Sequence, residues 1–271
     1  MDPNLLKRII TAVFGIVCIL ALIIFGKTWG VTFLALVGAC GALFEYFVML
    51  FPKEEQGIQR VVGGVLGFVL SAFIIFRAGI LYESVSVFFI VIFLFYVYLI
   101  HTSQDEIQKL VGELAYSLMG VFYVSFLFSF WPKVRELEAG VYWIFLVFLI
   151  PWVSDTAAYF VGRKWGQRKL SSVISPHKTI EGAVGGILAA VMGVFLYRIF
   201  VFHELTWISC VILGVGGAVL SQVGDLFESL LKRALAVKDS GVVIPGHGGI
   251  LDRFDSVLFC APFIYFYARL I

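Results

Sequence analysis

Charged residues are scarce in this 271-residue chain, at 14% of the sequence, whereas 61% of the residues are hydrophobic. Soluble domains contain about 25% charged residues and about 45–50% apolar ones. The mean hydropathy is +1.00. This shortage of charge excludes a soluble globular domain, a disordered tail and a nucleic-acid-binding module.

Cysteine is also rare, and its spacing is not that of a metal or redox site. The four cysteines lie inside apolar runs, and no two of them form a Cys-x-x-Cys pair. We therefore expect neither a zinc site nor a disulfide framework, and we interpret the cysteines as small buried hydrophobic side chains.

Long apolar runs occupy most of the sequence. A membrane-spanning helix needs roughly 20 apolar residues, because the hydrocarbon core is about 30 Å thick. The runs do not alternate as barrel strands do, so helices are the remaining way to satisfy the backbone in lipid. The predicted fold class is therefore all-α, a polytopic integral membrane protein with about nine transmembrane helices. The predicted spans are residues 9–26, 28–51, 61–79, 84–100, 114–131, 139–162, 181–202, 207–231 and 254–271.

Basic residues are distributed unevenly between the two sides of the membrane that these spans define. If the N-terminus is cytoplasmic, 14 of the 20 lysines and arginines fall in cytoplasmic segments and six in external ones. The positive-inside rule therefore predicts a cytoplasmic N-terminus and an external C-terminus. The expected location is the inner or plasma membrane, if the source is bacterial.

The two halves of the chain differ in charge within the predicted spans. Residues 1–135, with about five spans, have few charges at membrane depth, whereas residues 136–271, with about four spans, have many. Charge at membrane depth usually faces a bundle interior or a wet cavity. We therefore expect N-terminal transmembrane helices and a C-terminal catalytic region. In the N-terminal half, Glu45 is expected to be interfacial or paired, with a place in a pocket as the alternative.

A stretch of 31 residues near the C-terminus holds nine charged side chains. Asp225, Ser229 and Lys232 follow helical spacing and share one face. Asp252 and Asp255 share a face at the start of the last predicted helix, where acids suit the helix dipole. Converging carboxylates form an oxygen-rich cation site, and Mg²⁺ commonly binds through one or two carboxylates plus substrate phosphates. The alternative is that the last two aspartates are only first-turn acids.

A glycine-rich turn, Pro245-Gly246-His247-Gly248-Gly249, separates these acidic groups. Its backbone N–H groups precede a helix, and its glycines permit close approach of a phosphate. Four basic side chains flank it, so we expect a phosphate cradle; the alternative is a tight connection between helices. The flanking basic residues are Lys232, Arg233, Lys238 and Arg253. His247 would contact phosphate or cap the turn.

A second polar cluster lies between residues 154 and 182. Asp155 is predicted near the cytoplasmic end of the sixth span, and a basic run from Arg163 to Lys169 follows it. Attraction to anionic lipid headgroups is an alternative interpretation of this run. Ser175 and Lys178 come just before the next predicted helix, where they are placed to hold phosphate or base.

The segment from Ser229 to Asp255 resembles the signature of the CTP:phosphatidate cytidylyltransferases (CDP-diacylglycerol synthases). Its pattern is Ser, Lys-Arg, Lys-Asp, Pro-Gly-His-Gly-Gly and then Asp-Arg-hydrophobic-Asp, without departure. The stretches SDTAAYFVGRKWG and SPHKTIEG are also similar to that family. The N-terminal third of the chain carries the resemblance only as hydropathy.

The resemblance implies a membrane enzyme that converts CTP and phosphatidate into CDP-diacylglycerol and pyrophosphate for phospholipid biosynthesis. It implies Mg²⁺, a K⁺ ion near it and a homodimer among membrane lipids. The composition predicts no nucleic-acid partner, and the distribution of basic residues predicts an active site facing the cytoplasm. The expected catalytic residues are Asp225, Lys232, Asp252 and Asp255, of which the three aspartates would hold the metal. The expected substrate-binding residues are Asp155, Ser175, Lys178, Ser229, Arg233, Lys238, Asp239, Gly246, His247, Gly248, Gly249 and Arg253.

Two other functions stay open from the sequence. A CTP-dependent polyprenol or lipid kinase would share the multi-span form, but its alcohol acceptor needs a general base, whereas phosphatidate does not. A transporter would also have charges at the membrane midplane, but it predicts inverted repeats and interrupted helices in both halves. The charge here is concentrated in the C-terminal half, and no internal repeat is evident.

Overall fold

A computed structural model gives the conformation of most of the chain. It describes residues 15, 17–53, 56–76, 81–102, 107–241 and 248–271. Two predicted site residues, Gly246 and His247, lie outside the described residues. Part of the first predicted span also lies outside them, although residues 17–24 are helical.

The N-terminal part is a set of apolar helices. Their bounds are Lys27–Leu50 (α1), Gly57–Phe76 (α2), Leu81–Thr102 (α3), Ile107–Val121 (α4) and Phe130–Glu136 (α5). A π-helical segment, Phe122–Phe126, follows α4. Helix α4, this π segment and α5 form one apolar unit of 30 residues, which is long enough to cross a membrane.

The C-terminal part contains long helices and a small hairpin. The helix bounds are Gly140–Trp165 (α6), Ile180–Phe200 (α7), Trp207–Ala234 (α8) and Leu251–Leu270 (α9). An antiparallel pair of strands, β1 (Lys169–Ser171) and β2 (Ser175–Thr179), connects α6 to α7. The helix positions agree with the spans predicted from hydropathy.

The hairpin was not predicted, because its strands of three and five residues are too short to show apolar alternation. It is fixed to the start of α7. The hydroxyl of Thr179 accepts the N–H of Gly182 at 3.1 Å and caps the helix. Glu181 accepts the N–H groups of Gln167 and Arg168 at 3.0 and 3.1 Å, and the Arg168 Nε at 3.0 Å. These contacts place β2 against the N-terminal end of α7.

Large apolar side chains are exposed along the helices, as in a protein surrounded by lipid. Seven segments of the described chain are long and apolar enough to cross a membrane. Phe33 on α1 and Leu94 on α3 are 58% and 63% exposed. Cys210 and Cys260 are buried as expected, whereas Cys40 is exposed on α1. The expectation of burial is wrong for Cys40, since a position that faces lipid is as apolar as the interior and suits the same side chains. The all-α, polytopic membrane fold is confirmed.

Close helix packing in the C-terminal part positions the polar residues. Helix α6 packs along α7, and α8 packs along α9 and α7. A Cβ on Gly182 would lie 2.7 Å from the backbone oxygen of Ala158 on α6, so glycine permits this close approach. Helices α1 and α5 contact α9 from the N-terminal side. The predicted division at residues 135 and 136 falls within the last turn of α5 and stays a prediction.

Candidate active site

A cavity of about 520 Å³ opens between α6, the hairpin, α7 and α8. Small-molecule sites usually have volumes of about 300–1,000 Å³ and combine apolar walls with a few polar groups. The polar residues that line this cavity are Asp155, Tyr159, Arg163, Ser175, His177, Lys178, Thr179, Gln222 and Asp225. The cavity therefore offers positive, negative and neutral hydrogen-bonding groups to one ligand.

Four predicted site residues from three separate elements meet in this cavity. Asp155 comes from α6, Ser175 and Lys178 come from β2, and Asp225 comes from α8. The Lys178 ammonium group forms an ion pair with the Asp225 carboxylate, and both side chains are 28% exposed. An ion pair of this intermediate exposure is accessible to a charged ligand.

A second group of charges surrounds Lys232 on the last turns of α8. Its Nζ pairs with the carboxylate of Glu228 and lies 2.6 Å from Oδ1 of Asp252. The Oδ2 of Asp252 accepts the N–H groups of Ser240 at 3.0 Å and Gly249 at 3.2 Å. Asp252 therefore joins α8, the segment that follows it and the start of α9.

Asp255 lies within electrostatic range of both groups. It is 7% exposed, and its Oδ1 accepts the N–H of Ser256 at 2.6 Å. The carboxylates of Asp225 and Asp155 and the ammonium group of Lys232 all lie within electrostatic range of it. The side chain of Ser256 also lies close to Asp155. Aspartates from three distant parts of the sequence thus occupy one site.

The composition of the site suits a hard divalent cation. Among the described residues, five carboxylates share this region with two lysines that are held in ion pairs, so these seven side chains together carry an excess of negative charge. The carboxylates are those of Asp155, Asp225, Glu228, Asp252 and Asp255, and the lysines are Lys178 and Lys232. No three His, Cys, Asp or Glu side chains of the described chain are already arranged to hold a metal ion. Mg²⁺ usually completes its shell with substrate phosphates and water. The residues therefore fit an ion that binds together with a phosphate, and the metal assignment stays a prediction.

Asp252 is engaged differently from the other two predicted metal ligands. One of its oxygens contacts Lys232 and the other accepts two backbone N–H groups. The Gly249 N–H, which we expected to face a phosphate, therefore donates to Asp252. Gly248 has a φ of +83°, a left-handed conformation that glycine adopts without strain as the chain turns into α9. The phosphate cradle stays a prediction, and its Gly246 and His247 lie outside the described residues.

The other predicted binding residues lie at the edge of the site. Ser229 is half-buried on α8. Arg233 is exposed, and its Nε donates to the backbone oxygen of Ile174 in the hairpin turn at 3.4 Å. Three further residues are exposed, namely Lys238, Asp239 and Arg253. These side chains do not line the cavity within the described part of the chain, and their roles stay predictions.

Several side chains at the site, among them Glu228, His177 and Gln222, were not assigned to it from the sequence. Glu228, at 1% exposure, pairs with Lys232, and its four-residue spacing from that lysine was the available signal. His177 and Gln222 line the cavity, and Gln222 Nε2 donates to the Ser154 hydroxyl at 3.2 Å. An amide inside an apolar helix is the signal that would have identified Gln222.

Tyr123 is a residue of the N-terminal part whose side chain lies close to the site. It is 5% exposed in the π segment, and its ring centroid lies 5.1 Å from that of Phe227 and 6.0 Å from that of Phe259. Its hydroxyl has no hydrogen-bond partner among the described residues, and the carboxylates of Asp255 and Glu228 lie within electrostatic range. Hydropathy could not separate this tyrosine from its apolar neighbours.

Glu45 on α1 also reaches this region from the N-terminal part. It is 2% exposed and accepts three hydrogen bonds from residues around the start of α9. The expectation that Glu45 is paired is therefore confirmed. Its partners lie about 200 positions further along the chain, so the sequence could not identify them.

Comparison with known proteins identifies the family of this chain. A sequence model of the Cytidylyltransferase family matches residues 6–271. The phosphatidate cytidylyltransferase of Bacillus subtilis (strain 168) is 35% identical over 271 residues, covering 96% of each chain. Those of Staphylococcus epidermidis and Staphylococcus aureus (strain COL) are both 44% identical, over 153 and 155 residues, covering 56% of this chain and 58% of theirs. Because the family match extends over nearly the whole sequence, the chain belongs to the Cytidylyltransferase family.

Proposed function

We propose that this protein transfers the cytidylyl group of CTP to phosphatidate, which gives CDP-diacylglycerol and pyrophosphate for phospholipid biosynthesis. Membership of the family and the names of the three relatives support this assignment. The observation that carries it is the cavity in which Lys178 pairs with Asp225 close to the buried Asp255. A reaction between a nucleotide and a lipid needs such a charged site within apolar helices.

The reaction must bring two anions together. A phosphate monoester has a second pKa of about 6, so phosphatidate is mostly dianionic at neutral pH and is already a nucleophile. One of its phosphate oxygens attacks the α-phosphorus of CTP in line. A new P–O bond forms, the bond to the bridging oxygen breaks, and the electron pair leaves with pyrophosphate. The site therefore needs no strong general base, which agrees with its carboxylate and ammonium groups.

Charge neutralisation and positioning are then the main tasks of the protein. Lys178 lies in the cavity wall and is assigned to the triphosphate of CTP. Lys232, held between Glu228 and Asp252, is assigned to the negative charge that develops on the transferred phosphate.

Mg²⁺, when bound, would neutralise phosphate charge and orient the reacting groups. We assign it to Asp225 and Asp255, because Asp225 lines the cavity and its carboxylate lies within electrostatic range of that of Asp255. Asp252 is proposed as the third ligand on the resemblance to the family, and K⁺ is proposed on the same ground. Equilibrium dialysis with Mn²⁺ as a probe, with and without CTP, would measure the binding directly.

We also propose that the site faces the cytoplasm, as the distribution of basic residues supports. The acyl chains of phosphatidate then stay in the bilayer, and its headgroup enters sideways at the inner interface. The homodimer rests on the resemblance alone. Light scattering of the purified protein, corrected for detergent, would give its oligomeric state.

A labelled-substrate assay separates this function from the alternatives. The purified, detergent-solubilised protein is incubated with phosphatidate and CTP that carries one label in cytidine and another in the γ-phosphate. We expect the cytidine label in the lipid fraction and the γ label in pyrophosphate. Transfer of the γ label to a lipid alcohol would support the kinase instead, and the absence of any lipid product would favour a transporter.

A further inference from the structure

A carboxylate from α1 holds the start of α9. The Oε1 of Glu45 accepts the N–H of Ile250 at 2.9 Å. Its Oε2 accepts the N–H of Leu251 at 2.9 Å and the hydroxyl of Ser240 at 3.2 Å. The first N–H groups of a helix have no partner within the helix, and negative charge is favourable there. Glu45 therefore satisfies two of these donors from a distant element.

The backbone around this carboxylate is shaped to enclose it. A Cβ on Gly249 would lie 2.7 Å from Oε2 of Glu45, and a Cβ on Gly241 would lie 2.8 Å from its carboxyl carbon. Glycine at both positions lets the chain approach the carboxylate closely. The backbone at Gly241 and the backbone at Gly249 thus both lie against the carboxylate of Glu45.

The start of α9 carries two charged residues of the site, Asp252 and Asp255. Ser240 donates its hydroxyl to Glu45 and its N–H to Asp252, which pairs with Lys232. Asp255 follows Asp252 by three residues on α9 and is therefore on the same face. A shift of the first turn of α9 would move both aspartates relative to α8.

We propose that Glu45 is a positioning residue for cytidylyl transfer: by holding the first turn of α9, it sets where Asp252 and Asp255 lie against α8. This inference rests on the proposed function. Misplacement of reacting groups by about 1 Å can lower a rate about 100-fold. The cavity with Lys178 is built from α6, the hairpin, α7 and α8, so loss of Glu45 should lower kcat more than it weakens substrate binding.

The test compares Glu45→Ala and Glu45→Gln with Glu113→Gln. Glu113 is a matched control, because it lies in the N-terminal part and accepts a hydrogen bond from Gln56 at 3.1 Å. We measure kcat, KM for CTP and for phosphatidate, and the unfolding temperature of each purified variant. For Glu45→Ala we expect kcat to fall about 100-fold while both KM values stay within about threefold. Glu45→Gln keeps one acceptor oxygen and should be intermediate, and Glu113→Gln should match the wild type.

Three results would overturn the inference: wild-type kcat in Glu45→Ala, an equal loss of kcat in Glu113→Gln, or a rise in KM with kcat unchanged. If Glu45→Ala does not fold, Ser240→Ala takes its place, since it removes one hydrogen bond to Glu45 and should lower kcat by about three- to tenfold. Wild-type kcat in both Ser240→Ala and Glu45→Gln would then overturn it. A wild-type protein that forms no cytidine-labelled lipid would instead refute the proposed function.

Discussion

Helices α1–α5 and helices α6–α9 satisfy their buried polar groups in different ways. In the first set, three buried serine hydroxyls donate to backbone oxygens; Ser71 and Ser125 both donate to that of Gly67, at 3.0 and 2.9 Å, and Ser129 donates to that of Phe126 at 2.6 Å. In the second set, buried carboxylates such as Glu228 and Asp255 face other charged groups.

This difference indicates which part of the molecule does chemistry. Removing an ion from water costs several kcal/mol, and a buried ion pair rarely repays that cost in stability. Carboxylates held close to one another are therefore explained by a ligand rather than by folding. Among the described residues, Glu45 and Tyr123 are two side chains of the N-terminal helices that reach this region.

The largest effect is expected at the central aspartates. Asp255→Asn and Asp225→Asn each remove a negative charge with little change of shape, and each should lower kcat about 1,000-fold, the upper range for loss of one electrostatic contact. The assay is incorporation of labelled cytidine into lipid, and Glu204→Gln, an exposed residue between α7 and α8, is the control. If both aspartate variants keep a kcat within tenfold of the wild-type value, the charges of Asp225 and Asp255 are not needed for the reaction.

A smaller effect, on stability as well as activity, is expected at Lys232. Lys232→Met leaves Glu228 and Asp252 without their shared counter-charge, and breaking such a buried pair costs roughly 3–5 kcal/mol. Thermal unfolding in detergent should show a lower Tm. Adding Glu228→Gln should recover part of the Tm but none of the activity. If Lys232→Met alone keeps the wild-type Tm, the Lys232–Asp252 ion pair does not hold α8 to α9.

The smallest effect is expected on the lipid-facing side of the N-terminal helices. Leu94 on α3 is 63% exposed, and Leu94→Ala should change the free energy of unfolding by no more than about 0.5 kcal/mol and leave kcat unchanged. Thermal unfolding and the lipid assay on the same preparation measure both quantities. If Leu94→Ala lowers kcat as much as Asp255→Asn does, the N-terminal helices are not less important for activity than the C-terminal ones.

Hydropathy predicted the helices because lipid imposes one solution on a long apolar run. The hairpin could not be predicted, since Lys169–Ser171 and Ser175–Thr179 are short and are held by contacts with Glu181 rather than by an apolar pattern. The hydropathy of each run was thus enough to predict the spans, whereas the conformation between α6 and α7 depends on tertiary contacts.

The site was predictable where charge stood out against an apolar background. Asp225 and Lys178 were expected from separate clusters, and the structure brings them into one ion pair. The partners of Asp252 could not be derived, because spacing does not show which groups a carboxylate will contact. Glu45 was visible as a charge in an apolar helix, but its contacts at Ile250 and Leu251 depend on how α1 packs against α9.

A structure of the protein with a non-hydrolysable CTP analogue and Mg²⁺ would show where the nucleotide binds. We expect the triphosphate in the cavity between α6, the hairpin, α7 and α8, with Lys178 at the phosphates and the metal at Asp225 and Asp255. Nucleotide bound elsewhere, with the Lys178–Asp225 pair intact and this cavity empty, would contradict this expectation.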